Sequence, residues 1–146
     1  MNTVAGSGGA AIAGAALSLV GSPFRLHGRN PKYGLDCVGL VEQSLRRAGH
    51  GAEAPIQYGL RMGSIEHLLA FADGARLHVV NGSVPIRSTR PGDILLVRPG
   101  PTQFHMLVSL ASHGFVHAHA GLRRVVHSPA PPQWRSERHW RHASAL

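Results

Sequence analysis

The sequence predicts an α+β domain, with its helices in the first half and an antiparallel sheet in the second. Three observations predict it. Apolar residues recur at helical spacing up to about residue 72. From about residue 77 they gather instead into short strand-like runs. Ala111-Ser-His-Gly114 between two such runs reads as a hairpin turn. Helices first and strands second is the order of an α+β fold. The 146 residues suffice for one compact domain and not for two ordinary ones. Residues 1–9 are small and polar and are expected to be disordered, residues 10–128 to form the domain, and residues 129–146 to be an exposed tail rich in Pro, Trp and Arg.

The first helix is expected over residues 10–20, with Ile12, Ala16, Leu19 and Val20 near one face. Gly21-Ser22-Pro23 ends it, because a residue before proline is pushed out of helical geometry. Residues 24–34 read as a loop. A second helix opens after Asp36, a suitable N-cap, and runs to about Ala48, where Gly49 supplies the left-handed residue beyond the end. Its buried stripe is Leu40, Val41, Ser44, Leu45 and Ala48, with Glu42, Gln43, Arg46 and Arg47 outside. Residues 50–63 read as irregular. A short helix over 64–72 would start from Ser64 and bury Ile65, Leu68 and Leu69. Strands are expected at Leu77–Val80, at Ile94–Val97 after the Pro91-Gly92-Asp93 turn, at His105–Leu110, at Phe115–His119 and around Val125-Val126.

Composition excludes several classes. Hydrophobic content of 43% against 15% charged excludes a disordered chain. Eighteen Gly and ten Pro exclude a coiled coil. One Cys excludes an internal disulfide framework and a CxxC redox or zinc motif. No run of eighteen apolar residues is present to span a membrane. Ala10–Val20 is shaped like a signal-peptide core but has no Lys or Arg before it, so it reads as a folded helix. The net charge of +8, carried by fourteen Arg and Lys32, suits an anionic partner such as a cell-wall polymer. Nucleic acid is not expected, since no stacking motif or recognition helix accompanies the charge.

Cys37 falls on the first turn of the strongest helix. Free N–H groups and the helix dipole there favour an anion, and a free thiol of pKa about 8.5 is lowered by such surroundings. A nucleophilic thiol needs a base, and the base an orienting group. His105 and His117 lie on the two strands of the hairpin, twelve residues apart, and suit that pair if their side chains share a face. Direct pairing would centre the turn on Ala111. His105, His117 and His119 also have the residue types of a zinc set, but no acidic residue between Asp93 and Glu137 completes it, so no metal or cofactor is expected.

These residues carry a resemblance. Gly21-Ser-Pro-Phe-Arg-Leu-His-Gly28, then Gly34-Leu-Asp-Cys-Val-Gly-Leu-Val41, Pro91-Gly92-Asp93-Ile94, His105-Met-Leu-Val-Ser-Leu and Gly114-Phe-Val-His117-Ala follow one another as do the signature segments of the NlpC-type cell-wall endopeptidases. The resemblance covers residues 10 to about 120. It implies a papain-like fold, with the catalytic Cys at a helix N-terminus packed on the sheet. It further implies a hydrolase of peptidoglycan stem peptides at the bond from D-glutamate, through its γ-carboxyl, to a diamino acid. Carried over, Cys37 attacks, His105 moves the proton, His117 orients His105, and the Cys37 N–H donates to the oxyanion. Phe24, His27 and Asp36 are carried over as residues of the substrate or oxyanion side.

Two departures stand out. The family tyrosine falls on Phe24, which has no hydroxyl, and His27 precedes Gly28 where the family has a second loop glycine. The Phe-Arg-x-His-Gly loop is similar to that of relatives in phage tails and gene-transfer agents, which implies tail proteins as partners and delivery to the wall on a particle. Two alternatives share the fold: a structural tail-tip component without chemistry, and a small-molecule amidase or acyltransferase.

Overall fold

A computed structural model describes residues 7–55, 65–80, 88–129 and 134–146. Its helices are α1 (Ser7–Ser18), α2 (Cys37–Arg47) and α3 (Glu66–Gly74). A small ladder of β1 (Arg29–Asn30) and β2 (Gly34–Leu35) closes the loop between α1 and α2. The strands that follow are β3 (Leu77–Val79), β4 (Ile94–Gly100), β5 (Gln103–Ser109), β6 (Phe115–His119), β7 (Arg124–Ser128) and β8 (Arg135–His142). These six form one sheet in the order β3-β8-β4-β5-β6-β7, antiparallel at every pairing.

Residues 7–9, expected to be disordered, belong to α1, whose Ile12 and Ala16 are buried, as is Leu19 just beyond its end. Val20 is exposed because the helix has already ended and the chain turns. α2 stands where its pattern put it. The Asp36 side chain accepts the Gly39 N–H at 2.9 Å, and the Asp36 carbonyl accepts that of Leu40 at 2.8 Å. Gly49 lies beyond the C-terminus at φ +92°. Glu42, expected outside, is buried, and its Oε2 accepts the Ala54 N–H at 2.7 Å, which satisfies the charge. α3 is shifted from its expected span and buries Leu68, Phe71 and Ala72, while Ile65 and Leu69 are half-buried. Ser64 and the rest of 56–64 lie outside the described residues.

The sheet separates two apolar clusters. Ile94, Leu96, Met106, Val108 and Val116 face α1 and α2, whereas Leu95, Val97, Leu107 and Phe115 turn the other way and meet Trp134. The two-residue alternation of a strand accounts for the division, and for why Ile94-Leu-Leu-Val97 is apolar without a break.

The largest correction is β8. Residues 135–142 were expected in an exposed tail, yet they form a strand between β3 and β4, with Ile94 opposite Trp140 and Leu95 opposite His139. Its polar sequence is explained by its partner. Asp93, buried, accepts two hydrogen bonds from Arg141, each 2.9 Å, and one at 2.6 Å from His139. Burial opposes charge on Asp93, but these bonds and the Arg90 N–H hold its carboxyl below the usual range. Trp140 and His142, on alternate positions of β8, are also buried. A strand buried through an ion network does not show the apolar alternation by which strands are read.

Candidate active site

The first helical position of α2 is Cys37, whose side of the helix packs on β5; the residue is 1% exposed. Gly39 and Leu40 direct their N–H groups to Asp36, which leaves the Cys37 and Val38 N–H groups on the sulfur's side. Backbone hydrogen bonding from Met106, Val38 and Cys37 itself favours the thiolate. Burial outweighs it and, with the adjacent Asp36 charge, pushes the thiol up to about 12. The expected lowering by the helix N-terminus is therefore reversed: desolvation of an anion exceeds what one helix end supplies.

Asp36 is the hub of the loop before α2. Besides the Gly39 N–H, it accepts the His27 N–H at 2.8 Å and pairs with Arg29 at 3.3 Å. Arg29 in turn donates to the carbonyls of Gly28 and Pro55. The loop lies so close on the helix that a Cβ at Gly39 would collide with the Gly28 carbonyl oxygen. Thus the carboxylate of Asp36, although beside the cleft, is engaged in building it.

The histidine pair comes from the hairpin. Val108 faces Val116 and Ser109 faces Phe115, which centres the connection on Ser112 rather than Ala111. The reason is a 3-10 turn over Ala111–His113, with Ala111 at φ +56° and Gly114 at φ +95°, which makes the connection about two residues longer than direct pairing allows. His105 and His117 are consequently diagonal neighbours, and both point to the same face. His105 Nε2 reaches to 2.9 Å from His117 Nδ1. His117 Nε2 lies 3.4 Å from the Ser128 hydroxyl on β7. Two sets of protons satisfy this chain, running in opposite directions; in the one that leaves His105 a base, His105 Nε2–H donates to His117 Nδ1 and His117 Nε2–H donates to Ser128. Nδ1 of His105 is then left as its basic atom. Burial pushes His105 down to about 3, with the charges of His117 and His119 adding, and burial with His119 pushes His117 down to about 4. At neutral pH both rings are neutral.

A cleft of about 350 Å³ unites these groups. Phe24, Asp36, Cys37, His105, His117 and Trp134 line it, and His119 extends it. Phe24 occupies the cleft as the sequence placed it, and it brings no hydroxyl. His27 does not reach the cleft. It sits exposed at φ +60° and lines a separate groove with Arg29 and Glu42. Among the described residues no group of three or more His, Cys, Asp or Glu is arranged to hold a metal.

A profile described as the NlpC/P60 family matches residues 21–142. The chain belongs to the NlpC/P60 family. The match extends through β8, well past the segments legible as signatures. The NlpC/P60 chain is 27% identical over 115 residues to the murein DD-endopeptidase MepS/murein LD-carboxypeptidase of Escherichia coli K12, which covers 79% of this chain and 52% of that protein. The chain thus spans about half the length of the curated relatives it matches. Among solved structures it is similar to the NlpC/p60 domain of the peptidoglycan hydrolase SagA (20% identity, TM-score 0.56, 83% of this chain and 88% of that one). It is also similar to NlpC2 of Trichomonas vaginalis (15% identity, TM-score 0.62, 97% and 49%). These likenesses, with the six-stranded antiparallel sheet behind few helices, establish the papain-like α+β fold.

Sequence reasoning missed the roles of Trp134 and His119, which line the cleft, and of Ser128, which stands behind His117. Trp134 stands edge to face with His105 (centroids 5.7 Å, 88°) and lies as close to His117. Its sequence neighbourhood reads as tail; only the β8 strand that follows it brings it back. Ser128 was invisible because β7 was read as two residues. His119 was noticed only as a potential zinc ligand. No helix among the described residues is long and apolar enough to cross a membrane.

Proposed function

We propose that the protein is a cysteine-type endopeptidase of peptidoglycan stem peptides, acting on the D-γ-glutamyl–diamino acid bond. The observation that carries this reading is one cleft holding Cys37, at a helix N-terminus, and the hydrogen-bonded His105–His117 pair. Cys37 Sγ attacks the scissile carbonyl as its proton passes to Nδ1 of His105. Because the thiol sits near 12 and His105 near 3, the resting groups are neutral and the thiolate forms in the attack itself. The developing oxyanion takes the Cys37 N–H, in a cleft walled by Trp134 and Phe24. The C–N bond breaks, His105 returns the proton to the leaving amine, and a thioester remains. Water, deprotonated by His105, then releases the acid product and the thiol. His117 holds the His105 tautomer throughout, steadied by Ser128.

The MepS relative, named for murein peptidase activity, supports the substrate class. The Phe24-Arg-Leu-His-Gly28 loop supports delivery on a phage-tail-like particle, and the +8 charge supports attraction to anionic wall polymers. A map of the neighbouring genes tests the particle: tail genes are expected beside this one, and their absence would remove that part of the reading. A second reading, a structural tail component without chemistry, is favoured by one observation, Phe24 in the cleft where the family has a hydroxyl. Mass spectrometry of digested sacculi decides between them. New amino groups on the diamino acid are expected; intact sacculi and intact soluble muropeptides would favour the structural component.

A further inference from the structure

His119 is the one imidazole of the cleft that the proposed chemistry leaves unused. Two residues from His117 on β6, it shares that residue's face, with ring centroids 5.4 Å apart, and it lines the cleft. Its ring is held from behind. The Leu122 N–H donates to Nδ1 at 3.0 Å, and the turn closes on the ring so tightly that a Cβ at Gly121 would lie 3.0 Å from Cε1. A neutral ring whose Nδ1 accepts a hydrogen bond carries its proton on Nε2. His119 therefore offers a fixed Nε2–H donor. The cleft also lacks a competing anion among the described residues: Asp36 is the one acid lining it, and its oxygens accept from Gly39, His27 and Arg29.

We propose that His119 forms a carboxylate-binding subsite that reads a free carboxylate beside the scissile amide. This rests on the peptidase reading and deepens it, because a γ-linked D-glutamate leaves its α-carboxylate free next to that bond, whereas an α-amidated residue has no charge there. A hydrogen bond to a charged oxygen is worth enough to discriminate acid from amide by about tenfold.

The test compares two synthetic muropeptides that differ only in this carboxylate or carboxamide. Wild-type protein is expected to show a kcat/KM ratio of about ten in favour of the acid. His119→Ala should bring the ratio to about one, and His119→Gln, which keeps an N–H donor, should restore part of it. The ratio cancels any general effect of the substitution on folding or on the neighbouring histidines. A wild-type ratio of one, or a ratio of ten that survives His119→Ala, would overturn the subsite. Titration of the same peptides onto Cys37→Ala separates this proposal from the one beneath it. Tighter binding of the acid, lost with His119→Ala, supports the subsite even if the wild-type protein cuts neither peptide, in which case hydrolysis alone is refuted. Equal binding of both, or no binding, overturns the subsite.

Discussion

His105 and His117 touch across the β5–β6 hairpin at 2.9 Å without being opposite one another. The diagonal placement brings Nδ1 of His117 to Nε2 of His105, and in the proposed mechanism it accepts there and leaves Nδ1 of His105 as the base. His105→Ala is expected to lower kcat by about 10²- to 10⁴-fold, the usual contribution of a general acid–base group. His117→Ala should cost less, and His117→Asn should recover much of it, since the Asn oxygen accepts where Nδ1 did. Steady-state kinetics on a defined muropeptide check this; equal losses in His117→Ala and His117→Asn would refute the positioning role.

Asp36 has two separable effects, capping and charge. Asp36→Ala removes an N-cap and should destabilise the fold by roughly 1 kcal/mol or more. Asp36→Asn keeps an acceptor for the Gly39 N–H while removing the charge that raises the Cys37 thiol. Its thiol should therefore titrate lower than in the wild type. The pH dependence of thiol alkylation, beside urea denaturation, measures both; an unmoved thiol titration would show that the Asp36 charge does not reach the sulfur.

Ser44 is buried in α2, and its hydroxyl has no hydrogen-bond partner among the described residues. Leaving such a group unsatisfied costs about 1–3 kcal/mol, and Ala is the better helix former. Ser44→Ala is expected to stabilise the protein by about 1 kcal/mol. Urea denaturation reads this directly, and a lowered midpoint would contradict it.

Acid should unfold the protein before its carboxylates are protonated. Burial holds His105 near 3 and His117 and His142 near 4, against about 6.5 in an unfolded chain. For His142 the His50, Arg76 and His78 charges add to burial. Between these limits the unfolded chain binds protons that the folded one refuses. Stability is thus complete above about pH 6.5 and falls as pH drops toward 4. Asp93, depressed when folded, adds a further loss as pH falls below its ordinary value near 3.8. Denaturant midpoints at pH 7.5 and pH 5 test this, with a lower midpoint at pH 5 expected. An unchanged midpoint would mean that these rings are hydrated. His142→Asn should flatten the dependence.

What the sequence made legible were features governed by short-range rules. α2 was read through its cap at Asp36, its apolar stripe and its terminal Gly49, and Cys37 came with it. β4 and β6 were read from apolar runs. What escaped depended on partners distant in the chain. β8 is buried by way of Asp93, some forty residues earlier, so its Arg and His content looked like a solvated tail. The hairpin register turned on the longer connection made by the 3-10 turn. The sign of the Cys37 shift depended on burial under β5, which no motif records. Trp134 and His119 reach the cleft, and Ser128 reaches His117, through contacts equally distant in the chain.

The most direct test of the central claim is to incubate wild-type and Cys37→Ala protein, matched in thermal stability, with one defined muropeptide, and to follow both cleavage and the intact mass of the quenched protein. Cleavage is expected in the wild type alone, with a hydroxylamine-labile adduct of the acyl half on Cys37. Cleavage by Cys37→Ala at the wild-type rate would contradict a thiol nucleophile and the account built on it.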